Sequence, residues 1–342
     1  MTSITETLKP AKTTLLWLQS GGCGGCSMSL LCAESPDLVS TLDLMGIELL
    51  WHPSLSEACN QEFQQLLQDI LDDQQRLDLL CIEGAMLQGP QGSGRFHILG
   101  GTGKPMIHWV RELASKAEQV IAVGSCAAFG GIGSGEDNVT EATGLQFEGE
   151  HSGGLLGRDF ISAGGLPVIN ISGCPTHPNW VTETLMQLVA MPVDQANYDL
   201  FQRPKHYAEQ LVHHGCPRNE YYEYKASAEA HGQLGCMMEH LGCMGTQAHA
   251  DCNTRLWNGE GSCTRGGYAC INCTAPEFES PRHHFQQTPK LAGIPIGLPT
   301  DMPKAWFVAL ASLSKAATPA RLKDNAVSEL KIVPPTIHKK RG

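Results

Sequence analysis

Eleven of the fourteen cysteines in this chain, with one histidine, fall into three groups at metal-ligand spacing, and any fold it adopts must gather each group. The first group is the Cys23-Gly24-Gly25-Cys26 pair, joined by Cys126 in GSCAAFGG and Cys174 in SGCPTHPNW. The second is His213-x-x-Cys216 followed by Cys236 and Cys243, and the third is Cys252, Cys263, Cys270 and Cys273. Each offers four thiolate or imidazole donors, a set that suits iron in a cubane and also structural zinc. Zinc ribbons pack their ligands into one short segment, whereas the first group draws on three separate loops, which favours iron-sulfur. The flanking glycines let backbone amides approach sulfur and stabilise its charge.

Composition excludes several function classes. The net charge of −11, with no basic patch interleaved with aromatics, argues against nucleic acid as a partner. No run of about 18 apolar residues occurs, so no membrane span is expected. The N-terminal MTSITETLKPAK carries neither an apolar signal region nor an arginine pair, which points to a cytoplasmic location. In that reducing compartment the cysteines read as metal ligands and buried thiols rather than disulfides.

The first half alternates β-rich runs with helical patterns, the signature of an α/β domain with a parallel sheet. Strands are expected at residues 14–18, 48–51, 79–82, 120–123 and 167–171, with helices in EACNQEFQQLLQDILDDQQ, in PMIHWVRELASKAEQ and over residues 179–191. The pattern is flavodoxin-like. Cys23, Cys26, Glu83, Cys126 and Cys174 all follow strand ends, so they converge on the carboxyl edge of one sheet. Beyond the last helix the sequence turns irregular and holds the other two ligand groups, whose clusters would supply stability that a thin core does not. The expected organisation is a flavodoxin-like domain over 1–195, an irregular cluster-binding domain over 196–313 and a tail over 314–342. That tail carries seven Lys or Arg against Asp324 and Glu329. Thr318-Pro319 reads as a helix start, with Leu322, Ala326, Leu330 and Val333 on one face of the helix that follows.

Other signals have plainer readings. The glycine-rich GPQGSGRFHILGGTGKP fails as a phosphate loop, because Ile98 and Pro105 stand where a Walker loop needs Gly and Ser or Thr. Cys32, Cys59 and Cys81 are expected to be buried, inert thiols. Glu83 in CIEGA reads equally as a proton-relay or ligand-supporting group and as a cap or loop acid. His177 and His240 lie near ligands in sequence but read as packing or surface residues, and spacing leaves His213 and His214 undecided.

With those residues laid out, the chain resembles the small subunit of nickel-iron hydrogenases over nearly its whole length. LWLQSGGCGGC, IEGA, GSCAAFGG, INISGCPTHPNW, VHHGCPRNEYYEYK, LGCMMEHLGCMG and HADCNTRLWNGEGSCTRGGYACINCTAPEF occur in the family's order. The resemblance implies that Cys23, Cys26, Cys126 and Cys174 bind a proximal 4Fe-4S cluster, nearest a nickel-iron centre held by a separate large subunit. It further implies a distal 4Fe-4S cluster on His213, Cys216, Cys236 and Cys243, choosing His213 over His214. Many members carry proline where this chain has Cys263 and hold a medial 3Fe-4S cluster. Four thiolates here imply a medial 4Fe-4S cluster on Cys252, Cys263, Cys270 and Cys273, with 3Fe-4S as the alternative. Oxygen-tolerant members add cysteines beside the proximal ligands, where this chain has Gly25 and Gly131.

Within the family, SGGCGGCSMSLLCAE, GSCTRGGYAC and GIPIGLPTDMPKAWFVALASLSK resemble the regulatory type, which reports hydrogen to a histidine kinase. The implied protein is a cytoplasmic hydrogen sensor whose three clusters relay electrons from the large subunit. A dimer of heterodimers is expected, with the tail docking a second heterodimer or the sensor kinase. The rivals are an uptake hydrogenase feeding respiration and a zinc-stabilised interaction protein.

Overall fold

The computed structural model describes residues 12–278, 287–291, 294–295 and 303–329. The chain divides into two compact units, Met1–His206 with Thr274–Pro281, and Tyr207–Cys273 with Arg282–Gly342. The division falls at His206 rather than at residue 195, and the segment after the last medial cysteine returns to the first unit. There Ser172 Oγ and Arg203 Nη1 each donate to the Thr274 carbonyl at 3.0 Å.

In chain order the first unit comprises β1 (Thr13–Gln19), α1 (Gly25–Leu30), α2 (Leu38–Met45), β2 (Ile47–Trp51), α3 (Asn60–Leu71), β3 (Leu79–Glu83), β4 (Met86–Leu87) and α4 (Met106–Ala114). It continues with β5 (Gln119–Val123), α5 (Ser125–Phe129), β6 (Ala142–Thr143), β7 (Phe147–Glu148), β8 (His151–Ser152), β9 (Ile169–Ile171) and α6 (Pro178–Ala190). Five strands form one parallel sheet in the order β2-β1-β3-β5-β9. Counted among themselves these are strands 2-1-3-4-5, the flavodoxin order. The expected α/β fold is therefore present, with its strand and helix positions within a few residues of their predicted bounds.

Every residue of β3 and β5 is buried, because helices cover both faces of a parallel sheet. Leu16, Leu18, Leu80, Ile82 and Val120 pack with Leu67 and Ile70 of α3 and Val110 and Leu113 of α4. Burying one such side chain contributes about 1.5–3 kcal/mol. Trp51 stacks on Phe63 at 4.0 Å, closing the edge beside β2.

The second unit is built differently. After α7 (Lys205–Ala208), which spans the division, it holds α8 (Asn219–Glu223), the short pair β10 (Lys290–Leu291) and β11 (Ile294–Pro295), α9 (Lys304–Ala317) and α10 (Ala320–Ala326). Among the described residues its apolar contacts form small groups, such as Ala228, Met237, Leu241 and Ala269. The tail, expected to dock a partner, packs its described part on its own unit. Leu322 and Ala326 of α10 are 2 % and 1 % exposed and pack on Ala226. Leu234 and Gly235 donate backbone bonds to Ser328 and Ala326 at 3.0 and 2.8 Å. The predicted apolar face thus covers the unit's own distal region; Leu330 and Val333 lie outside the described residues. Among the described residues, no helix is long and apolar enough to cross a membrane.

Candidate metal sites

Strand register builds the first site. β1 ends at Gln19, β3 at Glu83, β5 at Val123 and β9 at Ile171, so the four loops that follow open on the same edge. Gly21 and Ala85 exchange backbone bonds at 3.0 and 2.7 Å, Gly124 donates to Ile171 at 2.8 Å and Ser125 donates to Gly173 at 2.9 Å. These ties carry the sheet's order into the loops. Cys23, Cys126 and Cys174 line one cavity of about 550 Å³, and Cys26 is buried beneath. Burial pushes the Cys26 thiol far up, a bond from the Thr176 amide opposes this, and Glu83, Cys126 and Cys174 add negative charge nearby. A buried thiol facing other thiolates is relieved when iron takes its proton's place, so this donor set fits a cluster.

Two glycines set the space around these sulfurs. Gly124 has φ +88°, and a Cβ on it would stand 2.5 Å from Cys26 Sγ. Gly131 has φ +63°, and its Cβ would stand 2.4 Å from Cys126 Sγ and 2.6 Å from the Cys126 Cα. An added cysteine at 131 therefore requires backbone movement, in accord with a four-cysteine site.

Glu83 is placed by five donors. Its Oε1 accepts from the Cys26 and Ser27 amides at 2.9 and 3.1 Å; its Oε2 accepts from Gln19 Nε2, Trp17 Nε1 and Ser27 Oγ. The geometry serves the cap and the ligand-supporting readings together: the carboxylate holds the first amides of α1 and so fixes Cys26. His52, absent from the sequence reading, extends this network through Ser27 Oγ at 3.2 Å. His177 also caps, its Nδ1 accepting from the Asn179 amide at 3.2 Å.

In the second unit His213, Cys216, Cys236 and Cys243 line one small cavity with Arg218, Tyr222 and Thr264. The His213 ring lies 4.3 Å from Tyr222, edge on. His214 is exposed and its Nδ1 accepts from the Leu211 amide at 3.3 Å, so His213 is the imidazole that enters the cavity. His240 is exposed beside Lys290 and Glu239. Burial pushes the Cys236 thiol up to about 12, with Cys243 adding to it. Arg218, which spacing did not single out, is buried and donates to the carbonyls of Thr264, Gln233 and Gly235. It ties residues 233–235 and Thr264 to its own segment and leaves a cation beside three thiols.

The third group converges in the same unit. Burial raises the Cys252 and Cys270 thiols well above their ordinary value; Cys273 and Cys263 add to the first, and Cys243, Cys273 and Cys252 to the second. Asn253 organises the loop, donating to the Val212 carbonyl at 2.7 Å and accepting from Ser262 and Thr264. The Cys270 amide donates to Cys243 Sγ at 3.4 Å, so one hydrogen bond joins the second and third groups. Among the described residues no three Cys, His, Asp or Glu donors are grouped to share a single metal ion.

The leftover cysteines correct an expectation. Cys81 is buried, but Cys32 and Cys59 are exposed, the first donating to the Met28 carbonyl and the second capping α3 with Glu62.

Comparisons with known proteins agree with this geometry. Residues 23–188 match the family of NADH ubiquinone oxidoreductase, 20 Kd subunit, and residues 207–286 match the C-terminal family of the NiFe/NiFeSe hydrogenase small subunit. The chain is 35 % identical over 303 residues to the F420 non-reducing hydrogenase II small subunit of Methanosarcina mazei, covering 81 % of this chain and 76 % of the relative. It is 30 % identical over 290 residues to the periplasmic [NiFeSe] hydrogenase small subunit of Desulfomicrobium baculatum, covering 80 % and 87 %. Among solved structures, the actinobacterial-type NiFe-hydrogenase from Ralstonia eutropha H16 aligns at TM-score 0.73 and 27 % identity, over 96 % of this chain and 95 % of that one. The [NiFeSe] hydrogenase of Desulfovibrio vulgaris Hildenborough aligns at 0.69 and 28 %, over 82 % and 99 %. Sheet order, sulfur-lined strand ends and these likenesses agree: the chain belongs to the nickel-iron hydrogenase small-subunit family, whose members carry iron-sulfur clusters and leave the nickel-iron centre to a large subunit.

Proposed function

We propose that this chain is the electron-relaying small subunit of a cytoplasmic, hydrogen-sensing nickel-iron hydrogenase, holding three 4Fe-4S clusters. The observation that carries the relay reading is the convergence of three four-donor sets, two of them joined by the Cys270 amide on Cys243 Sγ. Cys23, Cys26, Cys126 and Cys174 would hold the proximal cluster, Cys252, Cys263, Cys270 and Cys273 the medial, and His213, Cys216, Cys236 and Cys243 the distal. Bound there, the clusters supply one-electron carriers for the two electrons released when H2 becomes two protons. The chain's own groups do the rest: burial excludes water, Glu83 orients Cys26, and Arg218 holds a cation beside the distal thiolates. Exposed Ile132 and Val139 line the proximal cavity and form the face that meets the large subunit.

Cys263 tests the four-iron reading. Replacing it with proline removes one thiolate, so electron paramagnetic resonance of the oxidised protein should gain a three-iron signal. A wild type that already shows that signal at one per protein would reject the assignment. The sensing role is supported by the regulatory-type motifs in the sequence. Slow hydrogen oxidation and co-purification with a histidine kinase are expected, and rapid turnover feeding respiration would favour the uptake reading instead.

A further inference from the structure

Helix α9 seats Phe307, 4 % exposed, on the second unit, and beside that contact opens a cavity of about 230 Å³. Tyr222, Lys225, Cys236, Phe307, Ala311 and Lys315 are among its walls. Cys236 also lines the cavity that gathers His213, Cys216 and Cys243, so one thiol borders both spaces. The Lys225 ammonium stands 3.8 Å from the centre of the Tyr222 ring and 4.5 Å from that of Phe307. Lys315 reaches from α9 to Glu239 at 2.8 Å. Among the wall residues other than the cluster thiol Cys236, two ammonium groups stand against one carboxylate.

Each wall selects something about an occupant. Two aromatic rings favour a flat ring system. The excess cation favours a ligand that is anionic or becomes so on reduction. The volume admits one or two fused rings and excludes a dinucleotide. We propose that this cavity binds a small, flat, anion-forming electron acceptor of the naphthoquinone class, seated against Cys236. The proposal rests on the relay reading above and adds the acceptor that reading leaves open. The reaction balances: H2 is oxidised to two protons and two electrons, and the two carbonyl oxygens of the quinone take up both pairs to give the hydroquinone.

The test uses the assembled large and small subunits with clusters in place, and 1,4-naphthoquinone-2-sulfonate as probe. Calorimetry should show binding to the wild type, and Ala311→Trp, which fills the cavity from α9, should weaken it at least tenfold. Hydrogen-dependent reduction of the probe should fall in step, while reduction of benzyl viologen, a dication that the cavity disfavours, keeps its rate. Lys225→Gln should weaken binding and Lys225→Arg restore it. Ser312→Trp offers a second block, and iron content reports whether each variant is folded. Equal binding to wild type and both tryptophan variants, or none to wild type, overturns the site, as does equal loss of quinone and viologen reduction. If the wild type reduces no viologen under hydrogen, the hydrogenase reading fails, and the binding measurement still decides the cavity.

Discussion

The two units hold their cysteines by different means. In the first, the ligands follow the ends of β1, β5 and β9, with Glu83 closing β3, and the ladder of a buried parallel sheet dictates where those ends fall. In the second, the ligands sit on turns tied by side chains, such as Asn253 to Val212 and Arg218 to Thr264, Gln233 and Gly235. Among the described residues its apolar groups are small, and some pack directly on Cys236 and Cys243. A sheet can place four thiols without metal, whereas a domain of turns depends on the cluster to offset the ordering entropy.

Iron removal should expose this difference most severely. In core-poor peptides bound metal contributes about 10 kcal/mol or more to folding. Anaerobic chelation should therefore abolish hydrogen-exchange protection across residues 207–273 while the amides of β1, β3 and β5 stay protected. Equal loss in both units would show that the sheet also depends on its cluster.

Next in size are two core substitutions that should stay local. Leu322→Ala opens a cavity under α10 and should cost about 2–4 kcal/mol, felt as loss of distal iron because Gly235 and Arg218 share that packing. Deleting residues 318–342 should do the same more completely, which a solvated tail would not. Leu80→Ala, in the middle of the sheet, should cost about 2–5 kcal/mol yet leave medial and distal iron at wild-type content. Loss of iron from all sites in the Leu80 variant would merge the two units into one cooperative structure.

The contrast also explains what the sequence disclosed. Strands such as Leu79–Glu83 and Gln119–Val123 are mainly apolar runs followed at once by glycine, so their ends, and the cysteines near them, were readable locally. His213 against His214 was not, because Nδ1 of His214 is claimed by a backbone amide that no periodicity reveals. Nor was the tail: its basic charge is local, but the surface that receives Leu322 comes from Ala226, nearly a hundred residues earlier. Arg218 was missed because its acceptors lie in two segments distant in sequence, residues 233–235 and Thr264, although its place two residues after Cys216 was a usable signal.

The smallest expected effect separates the units by pH. Burial holds the His52 imidazole below its ordinary 6.5, with Glu83 opposing. Its Nδ1 accepts from the Ser54 amide at 3.0 Å, so a proton there would face another N–H. The folded state thus resists a proton that the unfolded chain accepts once pH drops below 6.5. A depressed histidine contributes stability that is complete above that value and is lost as pH falls toward the folded pKa, at no more than about 1.4 kcal/mol per pH unit for one proton. Hydrogen exchange in β1 and β3 should accordingly quicken between about pH 7.5 and 5.5, after correction for intrinsic rates. His97, also lowered by burial, acts in the same window. His52→Gln should flatten the dependence without abolishing it, and an unchanged slope in that variant would assign the whole effect to His97 or to groups outside this network.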